Sequence, residues 1–338
     1  MFTPVKFSAI PVKRMWGGHV LKSQFHTSID EPIGEYWVLS GHPSATSMIT
    51  EGAFAGLSLQ ELIEAYPQAY LGASPQPRFP LLIKYLEASL HLSVQVHPDD
   101  AYAQLHEGDF GKTEAWYVLD AGPEKKICYG HHFSCREDYT NAVKNADVLS
   151  HLSYRTIENG DVVYVPSGTL HALLAHTTVI EIQQTSDVTY RVYDWERVDE
   201  AGKERMLHVD AAAEVLHYTE TTSNSIPVKA SNQTHSRMRT RLNCPYFTID
   251  EIVCDPLSNE DDLFTASSKQ CITLKRGNIQ NPDILICVHG HTELTYSADN
   301  GELATLSLSP GELILIPATL DEYELSCTLR TVLLRVYY

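Results

Sequence analysis

Short strand-like runs punctuated by Gly, Pro, Asn and Asp recur along the whole 338-residue chain, and this rhythm limits the possible folds more than any other feature. Residues 92–96, 115–119, 161–165 and 313–316 are each too short for an independent helix and apolar enough for a buried strand. Helical signals are fewer. Ser58-Leu59-Gln60-Glu61 is a capping box opening a helix that Pro67 should stop, and Ser134-Cys135-Arg136-Glu137 repeats the device. Asp210 is placed to cap a third helix running to Leu216. The pattern predicts a mostly β protein with a few inserted helices.

The length suits two domains of on the order of 100–200 residues each. Residues 219–233 turn polar and irregular before strand-like segments resume near Tyr246-Phe247-Thr248-Ile249, so a boundary is expected there, giving domains 1–235 and 236–338. An internal echo supports two related β-domains. Gly160-Asp161-Val162-Val163-Tyr164-Val165-Pro166 and Gly311-Glu312-Leu313-Ile314-Leu315-Ile316-Pro317 share one Gly-to-Pro spacing.

The chemistry-bearing residues fall on alternating runs. In Ser93-Val94-Gln95-Val96-His97-Pro98, period-two alternation puts Ser93, Gln95 and His97 on one face and the valines on the other. Gly111-Lys112-Thr113-Glu114-Ala115-Trp116-Tyr117 likewise aligns Lys112, Glu114 and Trp116. The Gly160 run continues through a Pro166-Ser167-Gly168 turn to His171. Two imidazoles and a carboxylate from separate strands are a donor set for a divalent metal, so His97, Glu114 and His171 are the candidate ligands.

These residues also carry a resemblance. G-x5-P-x-G-x-x-H resembles the second cupin motif, and His97 followed by Glu114 a stretched first one. Ile33-Gly34-Glu35-Tyr36-Trp37, Leu92 through Asp100, Gly111-Lys112-Thr113-Glu114 and Tyr190-Arg191-Val192-Tyr193-Asp194 together resemble type I mannose-6-phosphate isomerases of the short form, from about Trp16 to Arg197. The resemblance implies a cupin (jelly-roll) β-barrel with inserted helices, and the internal echo predicts a second, degenerate cupin-like β-domain. The family's metal ligands fall on Gln95, His97, Glu114 and His171, with zinc the usual metal. In the echo Glu322 stands five residues after Pro317, where the first copy has His171, and no equivalent His-and-Glu pair precedes it, so one divalent metal per chain is expected. The resemblance places the catalytic arginine at Arg191 and substrate or phosphate contacts at Ser93, Lys84 and Lys112, and Lys112 is a catalytic candidate as well. The implied reaction interconverts mannose 6-phosphate and fructose 6-phosphate through a cis-enediol-type intermediate. Glu181, ten residues before Arg191, is the first candidate for the base; a metal-activated water or a histidine are the others. The segment Ala172-Leu173-Leu174-Ala175-His176 departs from the family in lacking glycines.

Charge and cysteine usage exclude other classes. A formal charge of −18 repels nucleic acid and anionic membranes. A small phosphorylated substrate must therefore meet a local cluster of Lys and Arg. Seven cysteines with no CxxC pair fit free thiols in a reducing, cytoplasmic setting, and no apolar run is long enough to span a membrane. A metal-dependent dioxygenase or a non-catalytic sugar-binding cupin are the competing readings.

Overall fold

The computed structural model describes residues 2–199, 201–218, 237–256, 269–276, 280–298 and 301–338. The short runs are strands with slightly shifted ends: Val94–Val96, Glu114–Asp120, Val162–Val165 and Leu313–Ile316. Ser58 caps Leu59–Ala65 through the full reciprocal box with Glu61, and Pro67 ends that helix by opening a second, Pro67–Tyr70. The other two cap expectations need correction. Ser134 bonds Asp138, so Cys135 is the N-cap of Arg136–Lys144, and Asp210 lies inside the first turn of Val209–Val215 behind His208.

Contacts divide the chain into two compact units. One holds Pro11–Trp37 and the described residues from Leu81 to Tyr218; the other holds the residues up to Ile10, Val38–Pro80 and the strands from Arg237 onward. Where the sequence suggests a single cut between 235 and 236, the second unit is thus assembled from separated segments. Val5 pairs with Leu315, and the Ala318 amide donates to the Ala69 carbonyl at 2.7 Å, which ties the early segments to the late strands. Residues 219–233, on which the expected boundary rests, lie outside the described residues.

The first unit is two antiparallel sheets. Six strands run in the order Val162–Val165, Glu114–Asp120, Thr177–Gln184, Leu81–Ala88, Ile33–Leu39, Ile10–Gly18. Five run in the order Leu152–Thr156, Lys126–His131, His171–Leu173, Val94–Val96, Tyr190–Tyr193. Among the described residues no strand pairing joins the two, so the barrel expected from sequence is an open jelly-roll sandwich. Its closure is made by side chains: Trp16, Leu86, Trp116 and Val163 of the larger sheet pack with Ile127, Tyr129 and Leu173 of the smaller. On the outer face of the smaller sheet, Val94, Val96, Ala172 and Val192 are covered by Tyr139 and Ala142 of one helix and Ala212 and Ala213 of another. Burying each of those valines contributes about 1.5–3 kcal/mol. The apolar half of each alternating strand therefore holds the fold and leaves the polar half free to face the space between the sheets.

The second unit repeats the plan with a six-stranded and a four-stranded sheet. The sequence echo is structural: Gly160 and Gly311 both take positive φ, 85° and 89°, and each opens a strand. In the first unit Val165, just before Pro166, is paired with Glu114; in the second Ile316, just before Pro317, is paired with Asp283.

Candidate metal centre and cavity

Register across the sheets builds the site. In the larger sheet Glu181 is paired with Trp116 on one side and Lys84 on the other, and neighbouring strands add Glu35 and Arg14. The result is a lateral row, Trp116, Glu181, Lys84, Glu35, Arg14, of alternating charge. Trp116 Nε1 donates to Glu181 Oε2 at 3.1 Å; Lys84 Nζ lies 3.6 Å from Glu181 and 3.5 Å from Glu35; Arg14 Nε donates to Glu35 at 2.6 Å. In the smaller sheet Gln95 is paired with both His171 and Arg191, giving a second row, His171, Gln95, Arg191.

The rows meet at one end in a buried cluster. His97, Glu114 and His171 offer ligand atoms that all lie within 4.8 Å of one another. His171 Nε2 is 3.3 Å from Glu114 Oε1, and His97 Nε2 is 3.6 Å from Oε2. The Nδ1 atoms of His97 and His171 sit 2.9 Å from the Val188 and Thr169 carbonyls. A carbonyl only accepts, so Nδ1 carries the proton and Nε2 presents its lone pair inward. Burial holds both imidazoles neutral, His171 down to about 4 and His97 well below its usual range. His97 Nε2 and both Glu114 carboxylate oxygens are buried without a hydrogen-bond partner. Orphaned lone pairs converging from two sheets fit a divalent cation, which would satisfy all of them at once.

Gln95 borders this cluster, its amide 3.4 Å from His171 Nε2 and its oxygen 3.3 Å from the Ser93 hydroxyl. Lys112 Nζ lies 3.2 Å from Glu114 and 3.9 Å from Glu181. Burial alone would lower the lysine, but Glu181 and Glu114 outweigh it and push its pKa up. Glu181 moves the other way from an exposed acid: burial and then Glu114 raise it, with Lys112 and Lys84 pulling back. Glu35, where burial is overcome by Lys84 and Arg14, falls to about 2.

Beside the cluster is a cavity of about 280 Å³ lined by residues of both rows, including every substrate candidate: Ser93, Lys84, Lys112, Glu181 and Arg191. Five lining cations face three lining carboxylates, in a chain whose net charge is −18. The local positive cluster that the overall charge demanded is present. Arg191 is the least committed of these cations. Asp194 is taken by Arg197 and Arg205, so Arg191 braces neither that carboxylate nor, among the recorded ion pairs, Asp187. Its Nη1 donates to the Met206 carbonyl at 2.9 Å and its Nε is buried without a partner.

Sequence reading missed Arg14, Glu35, Asp187, Thr189 and Arg205 among the lining residues. Arg14 and Trp16 share a face by simple alternation, a signal that was available. Arg205 lies on no regular element and carries none.

Two facing antiparallel sheets with a two-histidine, one-carboxylate cluster define a cupin-type protein with a metal-ligating centre. The family profile "Phosphomannose isomerase type I, catalytic domain" matches residues 6–126. The probable mannose-6-phosphate isomerase GmuF of Bacillus subtilis is 43% identical over 218 residues, 64% of this chain and 69% of that protein. The putative mannose-6-phosphate isomerase YvyI of the same organism is 33% identical over 97% of this chain and 98% of its own length. The crystal structure of the mannose 6-phosphate isomerase from Bacillus subtilis superposes with a TM-score of 0.82 at 30% identity, covering 100% of both chains. The chain belongs to the type I phosphomannose isomerase family.

Proposed function

We propose that the chain interconverts mannose 6-phosphate and fructose 6-phosphate by metal-dependent proton transfer between adjacent sugar carbons. The observation that carries this reading is Glu181, a carboxylate buried between Lys84 and Lys112 and lining a cation-rich cavity next to the ligand cluster. An aldose–ketose isomerase needs a group that takes a proton from one carbon and returns it to the next. A carboxylate whose pKa is raised by burial suits both halves of that task.

His97, Glu114 and His171 would hold the metal, one ion per chain, with Gln95 at its margin. Neutral imidazole nitrogens with one carboxylate favour zinc among the common divalent ions. Zinc bound there supplies Lewis-acid polarisation of the sugar oxygens. Lys112, between Glu114 and Glu181, keeps the two carboxylates from repelling each other and is placed to donate to a sugar oxygen. Ser93 and Lys84 line the cavity from the smaller and the larger sheet and hold the sugar between them. Arg191, one strand over from Gln95 and with an unused Nε, meets the negative charge that develops as the enediol forms.

Elemental analysis of the purified protein and a mannose 6-phosphate assay test the reading together. The expected result is one zinc per chain, turnover lost to a chelator, and turnover restored by zinc. Full turnover by metal-free protein would sink it.

A further inference from the structure

The cavity is electrically polarised along its length. At the metal end and along the larger sheet, three cations, Arg14, Lys84 and Lys112, are set among four carboxylates, Glu35, Glu114, Glu181 and Asp187. That end is short of positive charge by one and suits a dication. The arginine end has the opposite imbalance. Arg197 and Arg205 share the carboxylate of Asp194, and among the described residues Arg191 beside them makes no ion pair, feeling Asp194 only at longer range. Two positive charges are left over where Arg191 and Arg205 line the cavity.

Arg205 is brought there by an unusual turn. After the strand Tyr190–Tyr193, Trp195 and Glu196 both take positive φ, 57° and 53°, a conformation costly for side chains other than glycine. Trp195 locks the turn by donating to the Leu92 carbonyl at 2.6 Å and packing on His91. A bridge between Val198 and Glu204 then returns the chain to the cavity. Arg205 Nε donates to Asp194 Oδ2 at 2.7 Å and its Nη2 to Oδ1, which orients the guanidinium and leaves Nη1 unused by Asp194.

We propose that Arg205, oriented by Asp194, binds the phosphate group of the substrate, so that the sugar lies with its reacting carbons between Glu181 and Arg191 and its phosphate beyond them at Arg205. A phosphate monoester carries close to two negative charges at neutral pH, the size of the local excess. A planar guanidinium matches its oxygens in pairs. Lys84, already set among three carboxylates, has no such surplus to offer. Arg205 is thus a specificity determinant, and Asp194 a positioning residue behind it. The inference rests on the isomerase reading only for the identity of the sugar.

The zinc-loaded enzyme with Arg205→Ala should show KM for mannose 6-phosphate raised about ten- to a hundredfold, with kcat changed far less. Arg205→Lys should recover part of that loss, and Asp194→Asn should shift KM in the same direction by a smaller factor. Binding of inorganic phosphate, followed by calorimetry, should weaken in parallel in Arg205→Ala. Circular dichroism and zinc content distinguish a misfolded variant, and phosphate binding by Arg205→Lys then decides the matter. Unchanged KM and unchanged phosphate affinity in a folded Arg205→Ala protein would overturn the proposal while leaving the isomerase reading standing. Failure of the unaltered enzyme to turn over mannose 6-phosphate would sink that reading instead, and the phosphate affinities would still judge Arg205.

Discussion

Glu114 in one unit and Asp283 in the other occupy the same place relative to the Gly-to-Pro strand, yet their surroundings are opposite. Both are fully buried. The oxygens of Glu114 have no hydrogen-bond partner and face two neutral imidazoles. Those of Asp283 are taken: Arg335 reaches them through Nε at 2.9 Å and Nη2 at 3.2 Å, the Tyr323 hydroxyl at 3.0 Å, and Arg276 Nε lies 3.2 Å away. A buried carboxylate must have a counter-charge. One unit supplies it in full, with Arg335 and Arg276 on Asp283, and is a closed structural centre. The other supplies only Lys112, 3.2 Å from Glu114 and shared with Glu181, and leaves the side of the carboxylate that faces the two imidazoles open for a cation from solution. Glu322, which follows Pro317 by the interval that separates His171 from Pro166, is a surface residue 3.4 Å from Lys275 and offers nothing to Asp283.

The sharpest way to break this comparison is to close the open centre. His171→Ala should remove bound metal and lower kcat at least about a thousandfold, since polarisation by a metal contributes several kcal/mol. Elemental analysis and circular dichroism should show a metal-free but folded protein, because His171 is anchored by its neighbours and does not anchor them. A second tightly bound ion in the unaltered chain, lost on Asp283→Asn, would contradict the division of labour.

Opening the closed centre is the next largest effect. Arg335→Ala leaves Asp283 short of its main partner and should cost about 3–5 kcal/mol of stability, read as a lower denaturation midpoint. Zinc content and kcat of the molecules that remain folded should be unchanged. A variant with wild-type stability would show that Arg276 and Tyr323 alone satisfy Asp283.

Within the open unit a smaller effect is expected at Arg191. Arg191→Ala should lower kcat by roughly a hundredfold, as loss of one transition-state electrostatic partner does, with zinc retained and KM moving less. A large rise in KM at near-normal kcat would place Arg191 with Arg205 on the phosphate instead.

The difference between the units also marks what the sequence can disclose. His97, Glu114 and His171 were legible because strand alternation and a Gly-Pro turn are local patterns that aim side chains. Ser93, Gln95 and Lys112 follow from the same periodicity. Asp283 and Arg335 were not, since their meeting depends on register between strands 52 residues apart. Arg205 depends on two left-handed residues that are not glycines, so nothing in composition announces the turn. His176 is a similar case: it takes positive φ, 65°, in the segment where the family pattern leads one to expect glycine. Two of the three expected helix caps failed for a simpler reason. The Ser134 amide and hydroxyl both donate to the Asp138 carboxylate, so Ser134 caps no helix amide, and Asp210 sits one residue inside its helix.

The pairing of Val5 with Leu315 has a consequence in time. About 310 residues separate the two partners, so at ordinary rates of synthesis the first strand waits roughly 15–60 s for the one that will receive it. Until then its unpaired edge, and the surface of the 38–80 segment, are open to any strand or chaperone that passes. The unit bearing Glu114, whose described strands end at Tyr193, can be complete well before that moment. Each newly made molecule therefore passes through an interval in which the chemical half is built and the structural half is still waiting for its own beginning to find its end.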